Sequence, residues 1–292
     1  MNFGRVILGD NQFLGVNHSN QAKAVQLFEQ FSHPEAIIEV IGAAHEAGVR
    51  DFMFTTHDRF EAVFDEIRRS NLFPGMHYSP CLPYAHKYWS KLSAQSMPSV
   101  LKDTLFQVNA FQVVPVALGL VAGKFGSFMK LLTEIEVLMC KGLPLRGVFL
   151  QNAAFDLLMS IEAHREIEAF AEGVTRRLGI EPGFITMNHP QAVEVLCDRI
   201  GLERPWLCAN YNLAGFRMNP ATDKVMASFA SGRTRNIAMS VFSSGAAGGQ
   251  ASLAHVVSQC PTGGVDAVLF GSSRSENIFA NTRYILDHAP PS

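Results

Sequence analysis

Short apolar runs that stop at polar or glycine-rich turns alternate along this chain with longer stretches of helical periodicity. Residues 5–9 form a β-branched run ending at Asp10-Asn11-Gln12. Two helical stretches follow, 19–31 and 34–47; the second carries Ile37, Val40, Ile41 and Ala44 on one stripe, Ser32 three residues before Glu35, and Gly48 as its stop. Residues 51–56 read as the next strand, closing on Thr55-Thr56-His57-Asp58, and helix 59–70 carries Phe60, Val63, Phe64 and Ile67 on one stripe. A third strand candidate, 77–84, is broken by Pro80 and Pro83. Beyond it the alternation lapses until 146–151, the fourth strand. Helix 160–178, strand 183–187, helix 191–200, strand 206–211, helix 219–231, two strands near 239 and 268, and helix 275–286 complete the pattern.

Eight strand signals separated by helices predict an α/β fold, a (β/α)8 TIM barrel. An open doubly wound sheet is the alternative. It would want G-x-G-x-x-G after the first strand, and Gly9-Asp10-Asn11-Gln12-Phe13-Leu14-Gly15 is not one. The whole chain, 1–292, is expected to be one barrel domain, with residues 97–142 as a helical insertion between the third and fourth strands. Its apolar core, 110–122, is shorter than the ~20 residues a bilayer span needs. That apolar character suits packing on the barrel side or self-association as a homo-oligomer.

Composition narrows the function classes. With 292 residues, 48% hydrophobic and 17% charged, the chain can bury a large core. A net charge of −2 without basic runs argues against nucleic acid as a partner. Five scattered cysteines without C-x-x-C spacing suggest neither a disulfide framework nor a zinc knuckle, and a reducing cytoplasm suits them. The first ten residues lack the basic and apolar regions of a signal peptide. His18, His77, His86 and His189 show neither H-x-H nor H-x-x-x-H spacing, so no metal site is expected.

Candidate chemistry gathers at the strand ends. The turns after the seventh and eighth strands, Ser243-Ser244-Gly245 and Gly271-Ser272-Ser273, leave backbone N–H groups uncovered, the second just before a helix. Such loops cradle phosphates in barrels of this kind; the plainer reading is that glycine and serine are simply turn residues. His57 and Asp58 close the second strand, where an imidazole could serve as acid or base near neutrality, and Asp10 could orient it. Asp58 reads equally as a helix cap. Tyr84 and Tyr211 are alternative acids, or rim and core aromatics. Cys81 and Cys208 read as small apolar fillers.

The order Met187-Asn188-His189-Pro190, Cys208-Ala209-Asn210-Tyr211-Asn212-Leu213, Val241-Phe242-Ser243-Ser244-Gly245, then Phe270-Gly271-Ser272-Ser273-Arg274 with Asn281 beyond, resembles the second half of an aldo-keto reductase. The resemblance covers about residues 145–287 and the first two strands. It implies a small-molecule oxidoreductase with NADPH or NADH laid across the strand ends. Asn188 then falls on a contact to the nicotinamide amide, Phe242 on the ring that stacks on the nicotinamide, and Ser243 on a pyrophosphate contact. Gly271 and Ser272 fall on the loop at the adenosine phosphate, Asn281 on an adenine contact, and Arg274 is the residue available to meet a 2′-phosphate. Cys208 stands where the family has an amide-binding Gln.

The family's catalytic residues are replaced. Its Asp-x-x-x-x-Tyr spacing falls on Thr55 and Phe60, its Lys near Leu82 and its His on Gln151. A phenylalanine has no proton to donate. Three functions follow: an oxidoreductase with a relocated acid, a lyase, isomerase or aldolase acting on a phosphorylated small molecule, and a non-catalytic barrel that docks a partner through 97–142.

Overall fold

A computed structural model of the chain describes residues 3–16, 21–83, 133, 135–243 and 249–289. Eight parallel strands follow one another around a closed barrel: β1 (Val6–Leu8), β2 (Asp51–Thr55), β3 (His77–Leu82), β4 (Gly147–Leu150), β5 (Glu181–Thr186), β6 (Trp206–Asn210), β7 (Arg235–Met239) and β8 (Ala267–Phe270). The seam is β1 against β8, with Val6 opposite Val268 and Leu8 opposite Phe270. Nine α-helices accompany them among the described residues, and a π-helical turn, Glu194–Arg199, continues the sixth. The nine are α1 (Gln21–Gln30), α2 (Pro34–Glu46), α3 (Arg59–Arg69), α4 (Asn152–Ser160), α5 (His164–Leu178), α6 (His189–Val193), α7 (Thr222–Ala230), α8 (Gly249–Ser258) and α9 (Ser275–His288).

The strands are apolar on both faces because both are buried, as parallel sheets require. Alternation sorts the side chains. Val6, Leu8, Phe52, Phe54, Val148, Leu150, Phe184, Leu207 and Val268 point outward under the helices, whereas Ile7, Met53, Cys81, Phe149, Ile185, Cys208, Ile237 and Ala267 fill the interior. Gly183 belongs to this inner layer, where a Cβ would run into the Phe149 ring. Absence of a side chain there lets a phenylalanine cross the barrel.

The end formed by the strands' N-termini is sealed. Phe3 meets Phe149 and Trp206 edge-on, at 5.8 and 4.8 Å between ring centres. Asp51, buried, takes the Arg146 Nε at 2.8 Å and the Gly4 amide at 2.8 Å. Glu181 is held below the usual carboxylate range: burial pushes it up, but hydrogen bonds from Arg235 and Trp206 and the Arg235 charge outweigh that.

Several local expectations change. Helix α2 is capped by His33, with no side-chain cap bond, so Ser32 sits one residue too early for the expected capping box. α7 starts at Thr222 rather than at 219. α4 and α8 were not expected. α8, Gly-Gln-Ala-Ser-Leu-Ala-His-Val-Val-Ser, is too rich in small residues to advertise a stripe. Most of the 97–142 insertion, and with it the expected self-association surface, lies outside the described residues; Thr133 and residues 135–137 are helical, followed by a 3-10 turn at Leu138–Cys140. Among the described residues no helix is long and apolar enough to cross a membrane.

Candidate active site at the strand C-termini

The polar ends of β1, β2, β4, β5 and β6 gather at the opposite mouth. Asp10, just past β1, is 8% exposed, and its Oδ2 accepts the Thr55 amide at 2.6 Å. The Thr55 hydroxyl also bonds this carboxyl. Burial pushes the Asp10 carboxyl up to about 6, the Thr55 bonds opposing it only in part. Gln151, the cap of α4, donates its Nε2 to the Thr55 Oγ1 at 3.3 Å. Below lie two buried thiols. Cys81 is raised well above its usual range by burial, then by the Asp10 and Cys208 charges, and Cys208 is raised by burial.

His57, two residues past Thr55 at the end of β2, is half-buried. Its Nδ1 accepts the Arg59 amide at 3.0 Å, so the neutral ring carries its hydrogen on Nε2. Asp58 is exposed at the start of α3 without a side-chain cap bond. Thr56 turns to the buried Glu136, beside a cavity of about 390 Å³ whose lining also includes Glu61, Asp65 and Arg68.

Tyr211 is not part of the gathering. Its ring packs on Phe229 of α7 and lies parallel to His255 of α8, in the layer outside the strands. Parity explains this, because Cys208 faces in and position 211 therefore faces out. The same parity brings Asn210 to the mouth. It is buried, its Nδ2 donates to the Arg217 carbonyl at 3.1 Å, and its Oδ1 has no partner. An unpaired buried acceptor costs about 1–3 kcal/mol unless a donor arrives. Sequence reading had passed over it, although a count of alternate positions along β6 would have found it.

A second set of bonds fixes the β5 end. Asp156 on α4 accepts the Thr186 hydroxyl at 2.6 Å and the Met187 amide at 3.0 Å, and the Thr186 Oγ1 in turn accepts the Asn188 amide at 2.9 Å. Burial raises the Asp156 carboxyl, and the Thr186 and Met187 bonds oppose that rise. Asn188 caps α6: its Oδ1 accepts from the Gln191 amide and its Nδ2 donates to Gln191 Oε1 at 3.0 Å. His189 behind it bridges Ser228 and Asn236 and stacks on Phe229; burial pushes it down to about 4.

The remaining cofactor candidates line the rim after β7 and β8. Phe242 is partly buried, with its ring edge-on to Phe270 at 6.1 Å. Ser243 is buried, bonds the Asn212 Oδ1 at 3.1 Å and holds φ of 51°; an L residue in this region costs roughly 1–2 kcal/mol, so its neighbours fix the turn. Residues 244–248, the rest of that turn, lie outside the described residues. Gly271 is approached so closely by the Gln12 amide that a Cβ would collide with Oε1, an acceptor that has no partner of its own. Ser272 Oγ accepts from the Arg274 amide at 3.2 Å, and exposed Arg274 caps α9. Asn281 is buried and accepts from Gln250 at 3.1 Å.

These residues fit a nicotinamide dinucleotide at two points. A stacking ring and an unpaired amide acceptor suit a carboxamide-bearing ring, and the start of a 14-residue helix beside an arginine suits a phosphate. Among the described residues no three His, Cys, Asp or Glu side chains are placed to hold a metal ion.

No protein-family model matches the chain, and no curated protein matches it in sequence. Solved structures do match in fold. A Pseudomonas aeruginosa protein described as an aldo-keto reductase superposes with a TM-score of 0.59 at 14% identity, covering 98% of this chain and 91% of its own. The Bombyx mori aldo-keto reductase, solved with NADP, gives 0.57 at 11% identity over 98% and 85% of the two chains. A Klebsiella pneumoniae aldo-keto reductase solved with NADPH gives 0.51 at 15% over 99% and 88%. At these identities the likeness is one of fold: the chain has the (β/α)8 barrel that aldo-keto reductases have.

Proposed function

We propose that this protein is an oxidoreductase of aldo-keto reductase type, which uses NADPH or NADH to interconvert a small-molecule carbonyl and its alcohol at the strand C-termini. The observation that carries the reading is the near-full-length match to barrels solved with NADP and NADPH, together with a mouth whose ring, amide and helix terminus suit the same cofactor. Asn188 and Asn210 would hold the carboxamide, Phe242 would stack on the ring, and Ser243, Gly271, Ser272 and Arg274 would meet the phosphates, with Asn281 at the adenine. The bound cofactor supplies a hydride. The chain's part is to hold the carbonyl, exclude water and deliver a proton, and His57 and Asp10 are the groups at the mouth able to take part.

The test is a titration of NADPH and NADH followed by the coenzyme's own fluorescence, since Trp206 lies at the far end of the barrel. Micromolar binding, weakened at least fivefold by Phe242→Ala, is the expected result. No binding at millimolar coenzyme would overturn the reading and leave a phosphorylated small molecule as the ligand of the cradle.

A further inference from the structure

Three side chains from three strand ends form one hydrogen-bonded chain above the barrel interior. The Gln151 amide donates to the Thr55 hydroxyl, the Thr55 hydroxyl bonds the Asp10 carboxyl, and the Thr55 backbone amide donates to Asp10 Oδ2. Thr55 and Gln151 are the two positions at which the resemblance expects the aspartate and the histidine that flank the missing tyrosine. Neither position titrates here, and both have been turned onto a carboxyl supplied by β1, the next strand around the barrel.

We propose that Asp10 is the proton donor of this site, a catalytic residue acting as a neutral carboxylic acid, with Thr55 and Gln151 as the positioning residues that aim it. The assignment rests on the oxidoreductase reading and says which group replaces the missing tyrosine.

Three features support it. The first is the surroundings. Among the described residues no cation pairs with Asp10; Thr55 meets it from β2 and the Cys81 thiol lies near it from β3, with the Gln151 amide beyond Thr55 and the Cys208 thiol of β6 beyond Cys81, and burial keeps both thiols protonated. Arg59, the cation nearest in sequence to the β2 end, is directed to the carbonyls of Phe13 and Phe28. Nothing there favours a carboxylate, so burial leaves the group with its proton up to about pH 6.

The second feature is direction. Gln151 Nε2–H occupies a lone pair of the Thr55 Oγ1, so the Thr55 hydroxyl points its own hydrogen toward Asp10. With Oδ2 taken by the Thr55 amide, the acid's proton sits on Oδ1. The third is the neighbouring His57, two residues past Thr55. Its Nδ1 accepts the Arg59 amide, which commits that nitrogen to the start of α3.

The step balances. In the direction of reduction, the carbonyl carbon gains a hydride and its two electrons from a reduced nicotinamide. The π pair moves to oxygen, and the new O–H bond takes the Asp10 proton. The carboxylate left behind recovers a proton from water, and its two Thr55 donors hold it meanwhile.

The test compares the intact protein with Asp10→Asn and Thr55→Val, using 4-nitrobenzaldehyde as carbonyl probe, NADPH fluorescence for binding, and infrared difference spectra for the acid itself. Asp10→Asn should bind NADPH within twofold of the intact protein and lose about 100-fold or more in kcat, the usual span for a general acid. The intact protein should show a protonated-carboxyl band at pH 5 that vanishes by pH 8, and a kcat that falls as pH rises through the same range. Both signals should be absent from Asp10→Asn. Thr55→Val keeps the carboxyl and should lower kcat about tenfold at unchanged KM, with the pH limb moved upward, because a donor to the carboxylate is gone. That variant carries the test if Asp10→Asn does not fold. A fully active Asp10→Asn with an unaltered pH profile would overturn the assignment alone, as would an unaltered Thr55→Val profile or a missing band. Failure of the intact protein to bind NADPH would instead remove the oxidoreductase reading, and the assignment with it.

Discussion

The two ends of this barrel treat their carboxyls in opposite ways. At the N-terminal end Asp51 lies against Arg146 and the Gly4 amide, and Glu181 against Arg235 and Trp206, so each carboxylate is matched by a cation and a neutral donor. At the C-terminal end Asp10 and Asp156 have neutral donors only, Thr55 for one and Thr186 with Met187 for the other, and burial raises both. One end is built to keep charge in place. At the other, burial is opposed only by uncharged donors, on the face where barrels of this kind carry their active sites.

The largest effect that would sharpen this contrast is at the closed end. Asp51→Asn leaves Arg146 charged and under-compensated, and should cost about 4 kcal/mol in urea unfolding, the usual range for breaking a buried pair from one side. Coenzyme affinity of the folded fraction should be unchanged. A loss under 1 kcal/mol would mean that the pair is solvated and the contrast false.

The next effect is a pair of opposed pH slopes. Asp10 binds its proton more tightly folded (about 6) than unfolded (3.8), so its contribution is fully present below pH 4 and is lost as pH rises through 6. His189 binds its proton less tightly folded (about 4) than unfolded (6.5), so its contribution is present above pH 6.5 and is lost as pH falls toward 4. The two oppose each other in the intact protein. Removing either should expose the other: Asp10→Asn should lose ~3 kcal/mol on acidification from pH 6.5 to 4, and His189→Gln should gain a similar amount. Parallel slopes in the two variants would sink the account.

The smallest effect concerns the β5 turn. Asp156→Asn keeps an acceptor for Thr186 but faces an N–H toward the Met187 amide, which should loosen Asn188. NADPH should then bind about threefold more weakly, with the loss shrinking as pH falls, because burial raises the native carboxyl. A loss independent of pH would point to general damage to α4.

Much of this molecule could be read before it was seen in three dimensions. The eight strands were legible because their signals are local: apolar runs of four to six residues punctuated by Gly, Pro and polar ends. The strand-end positions of Asp10, His57, Asn188, Phe242 and Gly271 followed from the same punctuation. α8 stayed hidden because its small residues carry no stripe, and α4 because its polar and apolar residues merge with the start of α5. Inward and outward parity along β6 sets Tyr211 aside in favour of Asn210. The link from Gln151 through Thr55 to Asp10 joins residues far apart in the chain. Which partner each finds depends on the stagger of three strands, and no local pattern encodes that.

The seam between β1 and β8 sets the timing of assembly. Val6 must wait for Val268, its partner, which lies at the far end of the strand order and is made long after it. Until β8 emerges, β1 and β7 each carry a bare row of amide and carbonyl groups, the kind of edge to which a neighbouring chain can add. The ring can close only after nearly all of it has been made, and such long-range pairing is slow. A nascent chain stalled short of β8 is therefore an open sheet with two adhesive margins, and the mouth that gathers Asp10, Thr55 and Gln151 is complete only when the last strand has docked.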